Sequence, residues 1–193
     1  TKNTRLSIFD IMVAKTYRKI GDNFFDLRNY LSVLNYDGAV KSDYFQNLND
    51  GGLDISGVKP KIDDGDMLSI INILLKQDYM QSSVLKLKTD ELMSNVKLLH
   101  DLFHQILALM QQQFFIEEIE ISKYNPMLKF LAGFYGHFRN IDLEKQTFLS
   151  KWFWNTLLKN RYPGAQNQRI DKDLKNAKDG RFASALNKMM SDN

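Results

Sequence analysis

Seven apolar residues, Leu92, Val96, Leu99, Phe103, Ile106, Met110 and Phe114, recur at spacings of three and four along one unbroken stretch. A strand would scatter them over both of its faces, whereas a 3.6-residue period gathers them into one stripe. The pattern therefore predicts a helix over about residues 90 to 115, with Thr89 as its N-cap. At 1.5 Å per residue such a helix is roughly 39 Å long. A rod of that length with an apolar stripe needs several partners, so this one feature already points to a helical assembly.

The same period governs the rest of the chain. Ser7 and Asp10 have capping-box spacing and open a helix that Gly21 is expected to stop. Further helices are expected from Asn23 to about Asn35 and, in shorter form, near residues 40 to 49. Residues 48–66, "LNDGGLDISGVKPKIDDGD", read as one long Gly/Asp-rich loop. The segment "MLSIINILLKQD" is apolar on nearly every side and reads as a buried helix. Asn125 and Pro126 form an N-cap and N1 pair for a helix with a Met127, Phe130, Leu131, Phe134, Tyr135 and Phe138 face. Ala132, Gly133 and Gly136 leave that helix a small-residue face, suited to close approach of a neighbour.

Asp142 is the expected cap of a helix holding "KWFWNTLLKN". Phe148, Leu149, Trp152, Phe153, Trp154, Leu157 and Leu158 leave it only a polar strip at Lys151, Asn155 and Lys159, so it should lie between other helices. Residues from Gln168 to about Met190 suggest two short helices parted at Asp179-Gly180. No strand of consequence is expected. The chain reads as all-α, an irregular multi-helix bundle of about seven to nine helices, and 1–193 as a single helical domain.

A 44% hydrophobic share suffices for a core. The chain has no cysteine. That rules out disulfides, thiolate metal sites and a thiol nucleophile, and fits a reducing, cytoplasmic setting. No apolar run reaches the ~20 residues of a bilayer span, so no membrane partner is expected. The net charge of +3 is unevenly spread. From Lys151 to Asn193 nine Lys/Arg face four Asp, giving +5 and leaving −2 for the remainder. An excess confined to one end hints at an anionic partner.

Two groups of side chains suggest chemistry. His100 and His104, in "HDLFH", stand one helical turn apart, as zinc-binding histidines of HExxH proteases do, but the acid between them is Asp and the third ligand, Glu117 or Glu118, has no fixed position. Histidines flanking the core are the simpler reading. The Asp residues of the 48–66 loop lack EF-hand spacing, and no phosphate-binding glycine motif or nucleophile elbow occurs. In "KNRYPGAQNQRIDKDLKNAK", Lys159, Arg161, Arg169, Lys172 and Lys175 with Tyr162 and Gln166 interleaved suit phosphate contact and stacking. The competing reading pairs Arg161 with Asp171 or Asp173, docks Tyr162 on the core and leaves the lysines in solvent.

"NTRLSIFDIMVAKTY" with "FDLRNYL", and then "FLSKWFWNTLLKNRYPGAQNQRIDKDL", resemble stretches of the GmrSD-type proteins, the ParB-like, DGQQR-bearing proteins of modification-dependent restriction and phage defence. Arg161, Tyr162 and Asp173 match that family's Arg-Tyr and Asp positions. The resemblance implies the helical region downstream of a DGQQR domain that binds and hydrolyses nucleotide, with DNA as a further partner. Asp-Gly occurs at residues 37, 50, 64 and 179 but never before Gln, and no HNH arrangement is present. The expectation is thus a non-catalytic module, part of a longer protein, with no catalytic residue, no metal and no cofactor of its own. The alternatives are a free-standing protein-interaction or regulatory domain and a zinc hydrolase built on His100 and His104.

Overall fold

The computed structural model describes residues 6–20, 23–35, 62–116, 124–162 and 166–191. They form ten helices and one two-stranded hairpin: α1 (Ile8–Thr16), β1 (Arg18–Ile20), β2 (Asn23–Phe25), α2 (Leu27–Leu34), α3 (Asp64–Lys76), α4 (Gln81–Val84), α5 (Thr89–Ser94), α6 (Val96–Gln112), α7 (Asn125–Phe138), α8 (Leu143–Leu158), α9 (Gln166–Lys178) and α10 (Phe182–Ser191). The all-α class holds. The expected helix near residues 40–49 and most of the 48–66 loop lie outside the described residues.

Several starts follow the sequence closely. Ser7 and Asp10 make the reciprocal capping box of α1, with the Ser7 Oγ accepting from the Asp10 backbone N–H at 3.1 Å. Asp142 caps α8 by accepting from the Lys145 N–H at 3.0 Å. Asp63 does the same for α3, which therefore begins inside the expected loop.

Other expectations are corrected. The α1 helix ends at Thr16, before Gly21, because the chain turns into an antiparallel pair in which Arg18 faces Phe25 and Lys19 faces Phe24. The Tyr17 and Phe24 rings stack at 5.2 Å across it. This hairpin takes the first residues expected in α2, whose cap is Asp26. The long helix is broken at Asn95 into α5 and α6. There the Asn95 amide donates to the Glu91 carbonyl at 2.8 Å, a local bond that competes with continuous helix. Thr89 is the first residue of α5 rather than its cap, and its hydroxyl donates to the Thr16 carbonyl at 3.2 Å. All seven stripe residues are nevertheless buried. Tyr124, not Asn125, occupies the N-cap of α7.

The α7 helix is central, packed against α3, α6 and α9. Its glycines explain how. A Cβ on Gly133 would overlap the Tyr79 hydroxyl and Leu174 of α9, and one on Gly136 would lie 2.9 Å from the Leu74 carbonyl oxygen of α3. The small-residue face is therefore used within the chain. On the other side Phe130 stacks on Trp152 at 4.0 Å and Phe134 on Phe148 at 5.5 Å. Phe114 stacks on Phe153 at 3.9 Å, tying the end of the stripe to α8.

The α8 helix does not lie between helices on all sides. Phe148, Leu149, Trp152, Phe153 and Thr156 form its buried arc. Leu143, Trp154 and Leu158 fall on the opposite arc and are exposed, Trp154 by 41% and Leu158 by 82%.

Candidate functional site

The α8 helix ends in a Schellman motif. Asn160 takes the left-handed conformation (φ 47°), its N–H reaches the Leu157 carbonyl at 3.2 Å, and the Arg161 N–H reaches the Thr156 carbonyl at 3.1 Å. Asn is among the few residues that tolerate this position cheaply. The motif turns the chain back, so that Arg161 and Tyr162 point under α9 instead of outward.

There they meet Asp173. Arg161 donates through Nε to Asp173 Oδ2 at 2.6 Å and through Nη2 to Oδ1 at 2.7 Å, a two-pronged pair. Its Nη1 donates to the Met189 carbonyl of α10. The Tyr162 hydroxyl donates to Asp173 Oδ2 at 3.0 Å and accepts from the Trp152 indole N–H at 3.2 Å. Arg169 closes the ring by donating to the Arg161 carbonyl at 2.5 Å. Arg161 is 5% exposed and Asp173 0%. Burial, with the Asp173 carboxylate beside it, raises the Tyr162 hydroxyl well above the usual phenol range. The network joins α8, α9 and α10 through one carboxylate, and a planar guanidinium is suited to such two-pronged pairing.

Of the six candidate phosphate contacts, Arg161 and Tyr162 are thus in the core, bound to Asp173, and do not form part of an outward-facing cluster. The other four are exposed. Lys159 donates to the Met190 carbonyl at 2.9 Å, and Lys175 pairs with Asp171 at 2.6 Å along α9. At 100° per residue Lys172 and Lys175 lie opposite the buried Ile170, Leu174 and Ala177, with Arg169 on the shoulder. The side chain of Gln166 lies outside the described residues. Withdrawing the Arg161–Asp173 pair from the surface leaves the segment's excess charge unchanged, since one charge of each sign is removed.

The two histidines do not form an open metal-binding pair. Their rings lie 4.3 Å apart, His104 Nε2 donates to the Leu34 carbonyl at 3.1 Å, and His100 is buried with Nδ1 3.5 Å from Asp101 Oδ1. Glu117 and Glu118 lie outside the described residues. Among the described residues no three His, Cys, Asp or Glu side chains are grouped to hold a metal ion, and no helix is long and apolar enough to cross a membrane.

Compared with protein-family models, curated proteins and solved structures, the chain matches none of them.

Proposed function

We propose that this chain is a non-catalytic helical module of a GmrSD-like restriction or phage-defence protein, packing on a DGQQR domain that hydrolyses NTP and offering the outer side of α9 to DNA. The observation that carries the reading is the buried network. The three residues that match the family's Arg-Tyr and Asp positions, scattered over 13 positions of sequence, converge on one contact. Their role is then to fix the helix on which Arg169, Lys172 and Lys175 stand. Cations on a fixed helix engage phosphates with less loss of side-chain and backbone freedom than cations on a loose tail.

Sequencing the parent gene tests the module reading. A coding frame with Asp-Gly-Gln-Gln-Arg upstream of Thr1 supports it, and a frame without one removes it. A second reading, a protein-interaction domain, is favoured by the apolar outer arc of α8 at Leu143, Trp154 and Leu158. Exposed apolar groups gathered on one helix face mark contact surfaces more often than scattered ones do. It predicts that Trp154→Ser lowers partner capture and leaves DNA binding as it was.

A further inference from the structure

The hairpin that follows α1 turns two aromatic rings outward. Strand residues alternate between faces, and the pairing sets Lys19 opposite Phe24 and Arg18 opposite Phe25. Phe25 is buried, so Lys19 and Phe24 share the outer face. Tyr17 joins them there, its ring stacked on that of Phe24 at 5.2 Å with 9° between the planes. Tyr17 is 55% exposed and Phe24 51%. The pair is thus two parallel aromatic plates at the surface, with a lysine directly across the ladder from one of them.

The surroundings are cationic. The segment that follows α4 is bound along the end of α1. Lys15 Nζ donates to the Leu85 carbonyl, Thr89 Oγ1 donates to the Thr16 carbonyl at 3.2 Å, and Arg18 pairs with Asp90. Between these anchors Leu87 is buried while Lys86 and Lys88 are exposed, an alternation that puts both lysines on the outer side of the segment. Lys15, Arg18, Lys19, Lys86 and Lys88 therefore gather about the end of α1. The nearby carboxylates are engaged: Asp90 with Arg18, Glu91 with Lys76, and Asp26 as the cap of α2, accepting from the Arg28 N–H at 2.8 Å. Lys19, Lys86 and Lys88 have no ion-pair partner among the described residues. All residues before Lys151 sum to −2, so this local excess is made by folding and not by composition.

Exposed ring faces beside unpaired ammonium groups suit a ligand that carries flat rings and negative charges in alternation. Bases in a duplex cover one another's faces, whereas unpaired bases offer theirs to aromatic side chains. We propose that the outer face of this hairpin is a stacking platform for single-stranded DNA, with unpaired bases on Tyr17 and Phe24 and phosphates at Lys19, Lys86 and Lys88. Parallel stacking favours a base over a lipid surface, because a third ring continues the stack and a bilayer makes no use of it. The platform shares no residue with the outer side of α9 and does not depend on the DNA reading there.

Fluorescence anisotropy of a labelled oligothymidylate of about 12 nucleotides, titrated with the full chain, tests it. Binding with a Kd of about 1–100 µM is expected at low salt. Phe24→Leu and Tyr17→Leu should each weaken it by at least about fivefold. Lys19→Gln should make the log–log salt slope shallower by about 0.7, the single-strand value for one phosphate. An oligouridylate of the same length should bind no more tightly, since rings and ammonium groups make no use of a 2′-hydroxyl. Photocrosslinking of a bromodeoxyuridine-substituted strand to the unaltered chain, read by peptide mass spectrometry, should mark Tyr17 or Phe24, and it decides the matter even where a substituted hairpin fails to fold. The proposal is overturned if the ring variants bind as well as the parent, or if crosslinks fall on α9 and not on the hairpin. It is equally overturned if the RNA strand binds more than about tenfold more tightly, or if phosphatidylserine vesicles bind the hairpin face and the oligothymidylate does not.

Discussion

Removing one partner of the Arg161–Asp173 pair should be among the most damaging single changes available in this chain. Asp173 is fully buried and accepts three hydrogen bonds, two from Arg161 and one from Tyr162. In Asp173→Ala the guanidinium keeps its bond to the Met189 carbonyl but loses both bonds to the buried carboxylate. Breaking a buried pair in this way costs about 3–5 kcal/mol. Against a total stability of roughly 5–15 kcal/mol, that is a large fraction. For a chain of this length each kcal/mol moves the melting temperature by about 2–4 °C, so a fall of roughly 6–20 °C is expected. Arg161→Ala should match it, since it leaves the carboxylate with Tyr162 alone. The double variant Arg161→Met/Asp173→Leu removes both charges and fills the space, and should be far closer to the parent than either single alanine variant. Thermal melts with urea titrations of the four proteins measure this. Single variants melting within about 2 °C of the parent, or a double variant whose loss is the sum of the two single losses, would refute the argument.

Four further outcomes follow. Tyr162→Phe should cost about 1–3 kcal/mol, because it leaves the Trp152 indole N–H buried and unpartnered, and urea titration reads it directly. Trp152→Ala should cost about 3–5 kcal/mol by loss of its packing on Phe130, while the outward Trp154→Ala should stay within about 0.5 kcal/mol of the parent in the same melts. Gly136→Ala should destabilise more than Gly133→Ala, since the first meets Leu74 backbone and the second meets side-chain ends that can shift, and a paired melt decides the order. Burial raises the hydroxyls of Tyr30, Tyr79 and Tyr162 above the usual phenol range and pushes Tyr135 up to about 12. The folded chain therefore holds these protons more tightly than the unfolded chain. Their contribution to stability is complete below about pH 10 and is lost as pH rises beyond it, so phenolate absorbance at these positions should appear together with loss of helical circular dichroism.

What was legible in the sequence was whatever depends on near neighbours. The Leu92-to-Phe114 stripe, the Ser7–Asp10 box, the Asp142 cap and the parting of α9 from α10 at Gly180 are all set within a few residues. The break at Asn95 has no signal in the sequence because an apolar stripe continues through it in register, and only the Asn95 side-chain bond to Glu91 marks it. The exposed arc of α8 is hidden in the sequence for a different reason. Seven large apolar residues suggest burial all round, yet Leu143, Trp154 and Leu158 share one outward arc, and hydrophobicity alone does not say whether an arc meets a neighbour. Both readings of Arg161 were open in the sequence, and the Schellman turn at Asn160 decides between them by pointing the side chain inward.

The central claim is that the Arg161–Asp173 pair is internal, while Arg169, Lys172 and Lys175 on the outer side of α9 are proposed to meet DNA. Filter binding of duplex DNA between about 50 and 200 mM salt tests this most directly, run on the parent chain, on Lys172→Ala and on Tyr162→Phe. If Arg169, Lys172 and Lys175 each neutralise one phosphate, the log–log slope for the parent should be roughly −2.7. Lys172→Ala should make it shallower by about one unit with no change in melting temperature, while Tyr162→Phe should lower the melting temperature and leave the slope as it was. Undetectable or salt-independent binding by the parent, or a slope that changes in Tyr162→Phe and not in Lys172→Ala, would contradict the account.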